Sequence, residues 1–249
     1  MPKRSMMQLL RDGLAAGRRY VGQTPGTAYA VALLLPPLAM AAALWAGLAP
    51  TEMLRDPIMV AGGEQSQFYL GLFSNLGVVL WTAAAAICLF AGSELTGDAS
   101  RQSRHFLLYA GSFTLVLMLD DLFMLHENYA DRMIYALYAL GLLYYVARFF
   151  RLILRLDVVL FALAIPFFGN AVVIDLAPWR LLSDEGIELP QALDAASPAD
   201  RDQLRYLGRE LRYLLEDGFK FLGICCWTTF HVRAARLLRQ PGAVSARMA

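Results

Sequence analysis

Charge is scarce in this chain. Only 17% of its 249 residues are Asp, Glu, Lys or Arg, where a soluble domain of this size carries about a quarter. Cysteine is scarcer still, with three residues, Cys88, Cys225 and Cys226. All three fall inside apolar runs, which excludes a secreted disulfide framework. The adjacent Cys225 and Cys226 read as small apolar residues packed in a helix rather than as a soft-metal site. Histidine is limited to three residues, and the net charge is +1. No overall field draws the chain to nucleic acid. The metalloprotease pattern His-Glu-x-x-His and the di-iron pattern Glu-x-x-His are both missing. So are the numerous histidines of the seven-span ceramidase-like hydrolases.

What the chain has instead is hydrocarbon. It is 58% hydrophobic, with a mean hydropathy of +0.47. The apolar residues come in uncharged blocks of about 20, the length a helix needs to cross ~30 Å of bilayer core. The expected fold is an all-α polytopic membrane bundle of six transmembrane helices, at 28–48, 68–91, 106–126, 133–150, 157–177 and 212–232. The first run is too long and too far from Met1 for a signal peptide. Pro36 and Pro37 are expected to kink it. One integral membrane domain is expected over 1–249, with no internal repeat.

Basic residues in the loops orient the bundle. With both ends inside, fourteen Lys and Arg fall on the inner side and seven on the outer. This predicts N-in and C-in. The sparse loops and arginine-rich inner side fit a bacterial inner (plasma) membrane. Residues 1–25 begin with a basic amphipathic segment. Met6, Met7, Leu10 and Leu14 can share one face and Arg4, Arg11 and Arg18 another, as in a helix lying on the inner surface. The outer connection 178–211 starts acidic and ends in a helix start. Ser197 can cap it, Pro198 suits its first position, and Asp200 suits its first turn. From there one helix is predicted over about 198–238, its first turns standing outside the hydrocarbon.

Polar groups recur at one depth. Asp120 and Asp121 fall near the outer end of the third span, and Asp175 near that of the fifth. Glu216, Asp217 and Lys220 fall in the outer third of the sixth. Glu127 stands at the rim. Asp120 and Glu127 lie roughly 20° apart around a continuous helix. His126 falls off that stripe, and joins it only where the helix ends or bends. A charge in hydrocarbon costs about 2.5–3.5 kcal/mol on insertion scales. With Lys220 the one cation counted among them, these carboxylates must meet water, take up protons or bind a cation.

That requirement points to a site with three readings. In the first, Asp120, Asp121, Glu127, Glu216, Asp217 and Asp175, with His126, hold divalent metal. Oxygen ligands suit Mg, Mn, Ca or Fe, and one imidazole admits Zn. Asp120, Asp121, Glu216 and Lys220 then carry catalysis on a membrane lipid, the metal activating water and Lys220 meeting negative charge. The second reading is proton- or cation-coupled transport. The third is a non-catalytic subunit or assembly factor, working as a homo-oligomer or with a partner membrane protein. In spacing alone, Glu216 four residues before Lys220 in the last span resembles the carboxylate–lysine pair of microbial rhodopsins. That resemblance would imply bound retinal with Asp120 or Asp121 as counterion. Six spans and a start on the inner side depart from that family.

Overall fold

The computed structural model describes residues 25–56, 69–97, 100–125, 131–176 and 198–240. The basic N-terminal segment, His126, Glu127, Ser197 and most of the acidic outer connection lie outside the described residues. Every regular element among the described residues is helical. We name them α1 (Gly26–Trp45), α2 (Pro50–Leu54), α3 (Leu72–Glu94), α4 (Arg101–Phe123), α5 (Asp131–Ile153), α6 (Val158–Leu176) and α7 (Pro198–Arg239).

Five of these, α1, α3, α4, α5 and α6, are long and apolar enough to cross a membrane. Their surfaces agree. Leu34, Leu35 and Leu38 on α1 are 59–66% exposed, as are Leu140 and Leu143 on α5 at 62% and 64%. Apolar patches of this extent are not tolerated against water. The chain is a multi-pass membrane protein. The expected sixth span is the exception. α7 is one unbroken helix of 42 residues, but Glu216, Asp217, Lys220 and then Arg233 interrupt its apolar run, and it does not match the other five in apolar character.

Pro36 and Pro37 lack the N–H groups that an α-helix needs at these positions. The chain meets this by widening just before them. Ala30–Leu34 form a π turn, and the Leu35 N–H reaches back to the Ala30 carbonyl, so α1 continues to Trp45. α6 likewise runs through Pro166, whose carbonyl accepts from the Asn170 side-chain amide at 2.9 Å. α4 stops at Phe123. Met124 turns left-handed at φ 50°, and its N–H returns to the Asp120 carbonyl. The expected stripe from Asp120 runs on α4 only as far as Phe123, and Glu127 lies outside the described residues.

The chain divides into two compact units. Unit 1 takes residues up to Leu35, Val78–Ala164 and Ile224 onward; unit 2 takes Pro36–Gly77 and Ile165–Gly223. The core of unit 1 is aromatic. Phe106, Tyr145, Trp227, Phe230 and His231 are all at most 1% exposed. Close approach of α3 and α4 depends on Gly111. A Cβ there would stand 2.7 Å from the Leu89 side chain and 3.0 Å from the Ala85 carbonyl. Gly111→Ala is expected to cost about 1–3 kcal/mol through forced separation of the two helices, read as a lower unfolding temperature in detergent. Unchanged stability would show that the helices part freely. In unit 2, Gly223 gives α6 the same access, with Phe168 at 2.8 Å from the missing Cβ.

Candidate functional site

The polar residues singled out in the sequence fall into two groups, one in each unit. In unit 1, α4 carries Asp120 and Asp121, 6% and 8% exposed. α5 supplies Tyr138, whose hydroxyl is hydrogen-bonded to Asp120 with the Asp121 charge close by. Tyr138, an aromatic of α5, thus contributes a polar contact. Aspartates at consecutive positions point about 100° apart on a helix, yet both are covered here.

In unit 2 the site is built on the first half of the α7 residues beyond its opening turns. α2 starts with Pro50, and its free N–H groups need acceptors. Glu52 accepts from the Ala49 N–H at 3.1 Å. Glu210, from α7, accepts from the Thr51 N–H at 2.9 Å and from the Thr51 hydroxyl. Four residues further along the chain from Thr51, Arg55 donates to the Tyr213 hydroxyl at 2.6 Å and lies 4.3 Å from that ring's centre. So α2 is clamped to α7 at two points, by a carboxylate at its N-terminal end and a guanidinium at its C-terminal end. On the same helix, Arg212, between Glu210 and Tyr213, donates its Nε–H to Glu216 Oε2 at 3.2 Å. The charges of Asp175, Asp217, Arg212 and Arg55 all act on Glu216.

This arrangement corrects one expectation. Lys220 is not the sole cation among these carboxylates. Arg212 pairs with Glu216, and Arg55, on the Tyr213 ring three residues before it, adds a second positive charge nearby. Arginine side chains are long enough to leave their backbone position and meet a carboxylate over a turn away, so loop position misplaces their charge. Arg212 and Glu216 side chains remain 18% and 19% exposed, so the pair is reachable from outside the fold. Among the described residues, no three His, Cys, Asp or Glu side chains are grouped so as to hold a metal ion.

The third polar set was missed by sequence reasoning. It centres on His231, which is fully buried in unit 1. Its Nδ1 lies 2.9 Å from the Trp227 carbonyl and its Nε2 lies 3.0 Å from the Tyr145 hydroxyl. A carbonyl only accepts, so Nδ1 carries the proton, and in the neutral ring Nε2 accepts from Tyr145. Trp227 Nε1 in turn donates to Thr114 Oγ1 at 2.9 Å. The Trp227–His231 contact is at i, i+4 and is legible in sequence. The Tyr145 partner stands 86 residues away and leaves no local sign. The same holds for Asp157, 1% exposed, which is paired with Arg233. Cys88, Cys225 and Cys226 are free and buried, as small apolar residues would be.

A family described as a domain of unknown function, DUF8692, matches residues 27–234. The chain belongs to this family. The DUF8692 match takes in all three polar sets, from Thr51 and Arg55 through Asp120 and Asp121 to Glu216, His231 and Arg233, and ends at Ala234. No curated protein and no solved structure matches the chain.

Proposed function

We propose that this DUF8692 protein binds the charged headgroup of a membrane lipid at the unit 2 site. The observation that carries the reading is the mixed charge around Glu216. Arg55 and Arg212 stand there with Asp175, Glu216 and Asp217. Ionisable groups in a membrane protein are costly and mark functional sites. Carboxylates alone would favour a cation. Carboxylates beside guanidinium groups suit a ligand with both charges, such as a phosphate joined to an amine. Arginine meets phosphate through its planar fork, and the carboxylates meet the amine. In this reading α7 is the sixth span, both termini lie inside, and the site opens on the outer half of the membrane.

Phosphoethanolamine tests this directly. At a hundredfold excess over its Kd it should raise the unfolding temperature of the detergent-purified protein by about 5–10 °C. Glu216→Gln/Asp217→Asn should abolish that rise. An equal shift in wild type and variant, or none in wild type, removes the reading.

A second reading rests on Asp120 and Asp121, two buried carboxylates of α4. It keeps the lipid and adds a divalent metal, Mg, Mn, Fe or Zn, with hydrolysis as the reaction. Elemental analysis of wild type beside Asp120→Asn/Asp121→Asn decides it. Near-stoichiometric metal lost in the variant supports hydrolysis. Equal metal in both, or none after incubation with these ions, leaves the headgroup-binding reading alone.

A further inference from the structure

One end of unit 1 gathers arginines. Arg101 and Arg104 open α4, Arg148 and Arg151 close α5, and Arg236 and Arg239 close α7. All six are exposed. The side chains just inside them hold the three helix ends together. Phe106, two residues after Arg104, packs on Tyr145 at 5.3 Å, on Phe149 at 5.4 Å and on His231 at 6.4 Å. Arg148 lies 5.2 Å from the Phe149 ring centre, and Arg239 lies 5.6 Å from that of Phe90 on α3. The three pairs therefore ring a single end of one compact body.

Their charge is largely unopposed. Among the described residues, the carboxylates at this end are Asp157, which is taken by Arg233, and Glu94. Every basic residue in the ring is arginine rather than lysine. Each pair is spaced i, i+3, which places two guanidinium forks one turn apart on neighbouring sides of a helix. Such forks match phosphate oxygens in pairs.

The surface beside the ring is apolar and open. Phe150, between Arg148 and Arg151, is 41% exposed, and Phe90 is 59% exposed. A ligand that fits both parts has an anionic phosphate and a hydrocarbon tail. An acidic protein would satisfy the arginines and leave the apolar residues against its polar surface.

We propose that this arginine-bearing end of unit 1 is a binding surface for anionic phospholipids, with phosphate on the guanidinium ring and acyl chains along α3 and α5. It lies in the other unit from the Glu216 site and stands whether or not that site binds a headgroup. Basic clusters at helix ends on one membrane side are suited to this role.

Native mass spectrometry of the full chain, with phosphatidylglycerol or phosphatidylcholine added at equal concentration, tests it. Retained phosphatidylglycerol is expected to exceed phosphatidylcholine about tenfold. Arg148→Gln/Arg151→Gln and, separately, Arg236→Gln/Arg239→Gln should each bring the two lipids close to parity. Arg205→Gln/Arg209→Gln removes the same charge from exposed positions in the other unit and should keep the preference. Equal retention of both lipids by wild type overturns the proposal. So does an undiminished preference in both ring variants, or an equal loss in the Arg205/Arg209 control.

Discussion

Arg233→Ala is expected to destabilise the protein by about 3–5 kcal/mol, the largest effect of any single charge removal here. Asp157 is 1% exposed and sits in the short connection between α5 and α6, where Arg233 of α7 meets it. The pair closes over 76 residues of chain. Removing the guanidinium takes from a buried carboxylate the positive charge that offsets its desolvation. The cost comes from what is left behind rather than from the worth of the pair. Asp157→Asn in the Arg233→Ala background should therefore recover a large part of the loss, because the residue left in the connection is then neutral. Unfolding curves of wild type and the two variants in one detergent measure this. If Arg233→Ala unfolds within about 1 kcal/mol of wild type, as surface pairs do, Asp157 is solvated in solution and the clamp is not a buried one.

Trp227→Ala is expected to cost a similar amount, about 3–5 kcal/mol, by a different cause. Trp227 is 1% exposed and packs against Trp81 at 6.2 Å, Phe161 at 5.8 Å and Tyr145 at 6.2 Å. Truncation opens a void among large rings that cannot collapse to fill it. Trp227→Phe separates the polar part. It keeps most of the ring volume but removes the donor to Thr114 Oγ1. The expected cost is about 1–3 kcal/mol, the range for a buried group that loses its hydrogen bond. A Trp227→Phe variant as unstable as Trp227→Ala would mean that the hydrogen bond, and not the volume, organises this core. The backbone bond from His231 Nδ1 to the Trp227 carbonyl survives both changes, so the imidazole keeps its tautomer.

The two changes act on the same unit, yet their readability from sequence differs. Trp227 stands in an apolar run with Phe219, Phe221 and Phe230 around it, and burial of such a residue follows from composition. Arg233 reads as one of many inner arginines. Nothing near it in the chain marks it as the partner of Asp157. The hydrogen bonds from Thr51 to Glu210, 159 residues apart, leave no sign in the sequence either. Short-range signs were read more readily. Pro198 was expected to open a helix and does so, because a proline at the first position loses no hydrogen bond.

The sites divide along the same line. Asp120, Asp121, Asp175, Glu216 and Asp217 stood out because carboxylates in apolar runs carry a known cost. Their surroundings were not legible. Arg212 meets Glu216 at i, i+4, but Arg55 comes to the Tyr213 ring from α2's end, and Tyr138 comes to Asp120 from another helix. The break at Met124 was also hidden. A left-handed residue that is neither Gly nor Asn follows from how the chain is held, not from an intrinsic preference.

By itself, then, the order of residues determined that helices form, about where they run, and that most of them face hydrocarbon. The reason is that helical hydrogen bonding is local and burial in lipid depends on apolar length alone. The tertiary structure alone decided which polar groups far apart in sequence meet, whereas Arg212 and Glu216, four residues apart on α7, are a local pair. Asp157 with Arg233, and Glu210 with the Thr51 N–H and hydroxyl, are set by where side chains distant in sequence converge within each unit. Desolvation makes each of those distant choices energetically sharp, and no local pattern encodes them.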